Sequence, residues 1–288
     1  MRLVMFEERG EERLGVCEGD RAVDLAWLGG ALPRDVMEFV RGGEAARAAV
    51  VEALRGAPDG AWRPLRDLRL LPPIARPGKI VCLGLNYVDH AAEGGHAKPD
   101  YPSIFLRSAT SLVAHEQPIL LPRCSDKLDY EAELVAVVGT TARHVAKADA
   151  LRYVAGYSCF DDASIRDYQH FTAQWTIGKN FDRTGAFGPW FVTADELPPG
   201  AAGLTIESRL NGQVMQHANT RDMIFPVDET IALLTECMTL EPGDLLVMGT
   251  PGGVGHTRKP PVFMRDGDLI EVEIESIGVL RNRVAAEV

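Results

Sequence analysis

The sequence predicts an α+β, β-rich protein, with a small N-terminal α/β domain over residues 1–72 and a larger, mostly antiparallel β-domain over residues 73–288. Three observations predict it. Candidate strands far outnumber candidate helices after residue 78. Asn211-Gly212, set between LTIESRL and QVMQ, reads as a two-residue hairpin turn. The stretch Leu71–Gly78 (LPPIARPG) can continue neither a helix nor a central strand, so it marks the boundary.

Taken in order, Arg2–Glu7, Arg13–Cys17 and Ala22–Asp24 read as short strands. Arg34–Leu54 carries helical apolar spacing interrupted by Gly42-Gly43. Beyond the boundary, strands are expected at Ile80–Leu85, Tyr130–Val138, Leu204–Leu210, Leu245–Met248 and Leu269–Ile274. Helical pattern is confined to Lys147–Val154 and Asp228–Leu240. So few helices between so many strands argue against a doubly wound sheet.

Composition narrows the function classes. Apolar residues make up 46% and charged residues 25%, the balance of a globular chain. The formal net charge of -11 leaves no excess of cations for a phosphate backbone or an anionic membrane, so neither nucleic acid nor membrane is expected as a partner. No apolar run approaches the roughly 20 residues that span a bilayer. Acids stand where a signal peptide would carry its apolar stretch. The five cysteines are scattered and lack CxxC spacing, which points to reduced thiols in a cytoplasmic protein.

The most informative segment is Asp129–Gly139 (DYEAELVAVVG). Read as a strand, it places Tyr130, Ala132, Leu134, Ala136 and Val138 on one face, and Glu131, Glu133, Val135 and Val137 on the other. Both faces are apolar toward the C-terminal end, so the strand is interior and two carboxylates sit together at its mouth. Adjacent like charges in such a place need a compensating cation, either a metal ion or nearby Arg and Lys side chains. Ile270–Glu275 also holds a Glu-x-Glu pattern, but its alternation is clean and predicts an ordinary solvent-facing strand. Asp162 adds a third acid. Three carboxylates with no histidine or thiol form a hard oxygen set, suited to Mg²⁺ or Mn²⁺ rather than zinc.

Seven stretches in series resemble the fumarylacetoacetate hydrolase family: Leu83–Glu93, Asp129–Gly139, Gly156–Gln169, Gly178–Asp182, Gly185–Trp190, Asn211-Gly212 and Gly249–Gly255. The resemblance implies that family's β-roll/sandwich catalytic domain, a homodimer, and Glu131, Glu133 and Asp162 as ligands of Mg²⁺ or Mn²⁺. It also implies Lys179 beside the metal and the substrate oxygens. His90 and Glu93 would be the water-activating pair, and Arg166, Gln169 and Thr250 substrate contacts. One departure is Asp161-Asp162, where the family commonly has Asn-Asp.

The residues themselves fit those roles without demanding them. His90 and Glu93 stand at i, i+3, so in a helix they share a side and the acid can orient the imidazole; in a loop they would be a surface pair. Gly94-Gly95 follows as a hinge for a covering segment. Lys179 is either a surface lysine or a cation for a developing enolate. The Thr250 loop lacks the Lys-Ser/Thr ending of a phosphate-binding loop and does not fit the dinucleotide fingerprint. His96, His115, His144, His170, His217 and His256 show no metal-site spacing and read as structural or surface residues. No Gly-x-Ser-x-Gly elbow supports serine chemistry.

The function expected first is metal-dependent hydrolysis of a C–C bond in a 2,4-dioxo, acylpyruvate-type acid. Decarboxylation of oxaloacetate-like acids, or isomerisation or tautomerisation of unsaturated 2-oxo acids, would use the same site. A metal-binding homologue without turnover is the reading from another class.

Overall fold

The computed structural model describes residues 1–95 and 97–288, so the expectation for His96 lies outside the described residues. One twelve-stranded sheet organises the chain. Its path runs Trp62–Pro64, Arg21–Asp24, Glu11–Glu18, Arg2–Glu8, Gly185–Thr193, Val154–Asp162, Ala132–Val138, Leu245–Val247, Ile80–Gly84 and Ser103–Arg107. A second sheet of five strands orders Gln213–Asn219, Thr205–Leu210, Leu269–Ile274, Gly278–Ala286 and Ile119–Leu121. Pairing is mostly antiparallel. The parallel exceptions include Leu245–Val247 beside Ile80–Gly84 and Ile119–Leu121 beside Gly278–Ala286.

The strand Ala132–Val138 is interior, as its two apolar faces require. Leu134, Ala136 and Val138 enter the core shared with the small sheet, and Val135 and Val137 enter the core beneath the N-terminal segment. It starts two residues later than the expected Tyr130. The reason is that side chains replace the ladder there: Asp161 Oδ1 accepts from Glu131 N at 2.8 Å, and Gln216 Oε1 from Ala132 N at 3.0 Å.

Residues 1–72 do not build a sheet of their own. Arg2–Glu8 pairs with Gly185–Thr193 in the register Arg2↔Val192 and Leu3↔Phe191, so the N-terminal strands prolong the large sheet. The helix Val36–Arg55 is N-capped by Asp35, whose side chain accepts from Glu38 N, and it breaks at Gly43 (φ 53°), where glycine tolerates what other residues do not. Asn211 and Gly212, both at positive φ, make the expected hairpin turn.

Two elements differ in detail. Lys147–Tyr153 forms a 3-10 helix rather than an α-helix, because the chain must enter the strand Val154–Asp162 at once. The Glu271 and Glu273 face is half-buried rather than open, since Arg209 lies over it, 3.2 Å from Glu271 and 2.7 Å from Glu273. Among the described residues, no helix is long and apolar enough to cross a membrane.

Candidate metal centre and active site

The antiparallel register Ala132↔Asp161 and Glu133↔Phe160 brings the mouth of one central strand against the end of its neighbour. Glu131, Glu133 and Asp162 therefore converge. Each offers one oxygen, and these oxygens lie within 4.8 Å of one another. The three residues are 4%, 1% and 0% exposed. Carboxylates do not gather out of water without compensation.

Part of the compensation is protein. Lys179, itself 2% exposed, places Nζ 2.7 Å from Glu131 Oε2 and 2.6 Å from Asp162 Oδ2. Arg107 Nη1 donates to Asp162 Oδ1 at 2.5 Å, and its Nη2 donates to Thr184 Oγ1. Arg166 Nη2 stands 2.7 Å from Glu131 Oε1, while its Nε donates to Asp129 Oδ2 at 2.8 Å. Lys179 reaches the site because Gly178 lets its short helix lie on the neighbouring one: a Cβ at Gly178 would meet Gln169 N at 2.4 Å.

Five buried acids (Asp129, Glu131, Glu133, Asp161, Asp162) thus face three buried bases (Arg107, Arg166, Lys179). Glu133 and Asp161 are the acids left over: among the described residues neither has a cation within ion-pair distance, Glu133 Oε2 accepting from Gly249 N at 2.5 Å and Asp161 Oδ1 from Glu131 N at 2.8 Å. Burial, with Asp162 and Glu131 alongside, pushes the Glu133 carboxyl well above the ordinary value. Burial also pushes Asp161 up, to about 8, and raises Asp162 despite Lys179 and Arg107. For Glu131 burial is outweighed by Lys179 and Arg166, which hold it at about 2. An all-oxygen donor set with surplus negative charge fits a hard divalent cation held by Glu131, Glu133 and Asp162.

Above the acids lies a cavity of about 110 Å³, lined among others by His90, Glu131, Glu133, Arg166, Gln169, Lys179 and Thr250. Val88–Glu93 is a helix, so His90 and Glu93 do share a side, with Nδ1 and Oε1 2.9 Å apart. Glu93 Oε2 accepts from Gly253 N at 2.8 Å, fastening this helix to the glycine loop. Burial would raise the Glu93 carboxyl, but His90 and the Gly253 N–H hold it below its ordinary value. Arg166 Nη1 donates to Gln169 Oε1 at 2.8 Å. Thr250 Oγ1 accepts from Gln216 Nε2 at 2.7 Å.

Seven of the nine sequence-predicted residues therefore line the cavity, and Glu93 and Asp162 stand behind it, bonded to His90 and Lys179. The structure adds residues that sequence reasoning missed: Arg107, Asp129 and Gln216 as braces, and His170 and His256 on the cavity wall. A lone arginine ending the apolar strand Ser103–Arg107 was the available signal for the first.

Fold and site define a class: a β-roll scaffold with a buried three-carboxylate centre, made for a hard cation and a small polar ligand. Residues 79–285 match the model of the fumarylacetoacetate (FAA) hydrolase C-terminal domain. The chain belongs to the fumarylacetoacetate hydrolase family. It is 38% identical over 289 residues to the mitochondrial oxaloacetate tautomerase Fahd2a of Rattus norvegicus, covering 99% of this chain and 91% of the relative. Among solved structures it resembles maleylpyruvate hydrolase from Sphingobium sp. SYK-6 in complex with manganese(II) and pyruvate (TM-score 0.83, 32% identity, all of both chains). It is also similar to 5-carboxymethyl-2-hydroxymuconate delta-isomerase from Mycobacterium smegmatis (TM-score 0.77, 30% identity, all of both chains).

Proposed function

We propose that the protein interconverts the keto and enol forms of a small 2-oxo dicarboxylic acid of the oxaloacetate type, with Mg²⁺ or Mn²⁺ held by Glu131, Glu133 and Asp162. The observation that carries this reading is one small cavity lined by an acid–base group, a buried ammonium and the carboxylate centre. The tautomerase relative, aligned along nearly the whole chain, moves this reaction ahead of the C–C hydrolysis that the motifs put first.

The cation, when bound, supplies positive charge that lowers the energy of an enolate. The rest falls to the chain. Lys179 is kept an ammonium: burial works against its charge, and Asp162 and Glu131 more than restore it. It stabilises negative charge growing on the C2 oxygen. A carboxylate on Nδ1 favours the tautomer with its proton there and leaves Nε2 of His90 as the base. His90 removes a proton from C3 and delivers it to the oxygen, and the reverse transfer restores the ketone. Arg166, Gln169 and Thr250 present hydrogen-bonding groups to the acid.

The test follows enol-oxaloacetate by its ultraviolet absorbance with Mg²⁺ or Mn²⁺ present. The expected result is decay well above the spontaneous rate, cut about 10²–10⁴-fold in His90→Ala. Hydrolysis is the second reading, favoured by the same His90–Glu93 pair, which can equally deprotonate water. NMR of products from a panel of acylpyruvates separates the two. Cleavage into two acids, with enol decay at the spontaneous rate, would replace tautomerisation by hydrolysis.

A further inference from the structure

One side of the cavity is apolar, and the proposed reaction gives it no task. Phe105 and Trp175 line it, their ring centroids 5.8 Å apart at 67°, the edge-to-face arrangement that aromatic pairs prefer. The side starts at the buried ammonium, since Lys179 Nζ lies 5.0 Å from the centroid of the Phe105 ring. Trp175 comes from the same short stretch of chain, as the residue before the helix Thr176–Lys179. Its indole is wedged rather than free to swing aside. It lies against Gly84, the last residue of the strand Ile80–Gly84, where a Cβ would meet Trp175 Cζ3 at 2.1 Å. A glycine at that strand end is what admits so large a ring.

The space left is small. At about 110 Å³ the cavity is well under the roughly 300–1,000 Å³ of pockets that enclose drug-sized ligands. Its polar groups Glu131, Glu133, Arg166 and Lys179 serve the reacting end of an acid, directly or through the cation. The aromatic side is what remains for the rest of the molecule. A packed ring pair yields little, because moving one ring forfeits its contacts with the other and with the strand behind it.

We propose that Trp175 sets the length of the substrate, closing the site to 2-oxo dicarboxylic acids longer than oxaloacetate. The inference rests on the enolisation proposed above. An acid anchored at its reacting end brings each added methylene toward the indole, which has Gly84 and Phe105 against it and no room to retreat. The test compares oxaloacetate with 2-oxoadipate, which has the same two carboxylates and two more methylenes. Exchange of the C3 protons for deuterium is followed by NMR in the Mg²⁺-loaded enzyme, above the rate without enzyme. The wild type is expected to favour oxaloacetate in kcat/KM by about tenfold or more, since one methylene in a pocket is worth about 10–200-fold. Trp175→Ala moves that ratio about tenfold or more toward 2-oxoadipate. Trp175→Phe, which keeps an aromatic ring beside Phe105, moves it less, and it carries the test alone should the alanine variant not fold. An unchanged thermal response to Mg²⁺ shows that the variants are folded. A wild type equally active on the two acids, an unchanged ratio in the folded variants, or equal losses on both acids (the mark of a displaced Lys179) overturns the length assignment and leaves the reaction standing. A wild type that exchanges neither acid removes the reaction itself, and this assignment with it.

Discussion

Replacing Glu133 by Gln separates the acidic centre from every other part of the site. Of the three carboxylates, Glu133 is the one without a cation partner among the described residues, and burial beside Asp162 and Glu131 raises its pKa. An acid whose folded pKa is raised takes up protons on folding. Its contribution to stability therefore falls as pH rises from its ordinary 4.5 toward the raised value. Without metal, Glu133→Gln should lose that decline and match or exceed the wild type at neutral pH. With metal the order reverses. At a free Mg²⁺ or Mn²⁺ concentration of about 100 Kd the wild type gains about 2.7 kcal/mol, or roughly 5–10 °C in Tm for a chain of this size. Loss of one charged ligand should weaken the ion by about 100-fold or more, leaving about 0.4 kcal/mol and a shift near 1 °C. Differential scanning fluorimetry across a metal titration and a pH series measures both effects. A Glu133→Gln protein that keeps the full metal-induced shift would refute the three-carboxylate centre.

Other perturbations test the surroundings. Glu93 has a lowered pKa, so the stability it contributes is present above its ordinary 4.5 and disappears as pH falls through the lowered value; the gap between wild type and Glu93→Gln in urea denaturation should be widest at neutral pH and close in acid. Glu93→Gln should also reduce turnover while leaving the metal-induced thermal shift intact, since it touches His90 and Gly253 rather than the acids. Gly178→Ala forces a methyl against the backbone of Gln169. It should cost about 1–3 kcal/mol in chemical denaturation and reduce activity by displacing Lys179.

What the sequence disclosed follows from what local pattern can carry. Glu131 and Glu133 stood out because Val135 and Val137 on their own face are core residues, so the acids had no solvent to explain them. The five strands expected beyond residue 78 and the Asn211-Gly212 turn were legible for the same reason: period and turn chemistry are local. Arg107 was not, since its strand lies at the edge of the sheet and its partner Asp162 lies far along the chain. The N-terminal strands look like a separate unit in sequence, and only pairing with Gly185–Thr193 shows that they extend the main sheet. His170 and His256 read as unremarkable surface residues because nothing in their spacing foretells that a helix end and a loop will bring the rings together.

The bond from Gly253 to Glu93 links two events that could have been independent. One oxygen of that carboxylate seats the helix Val88–Glu93 on the glycine loop and the other aims the imidazole. A change that breaks the first bond therefore also frees the imidazole, so the seat of the helix and the aim of the base are lost together.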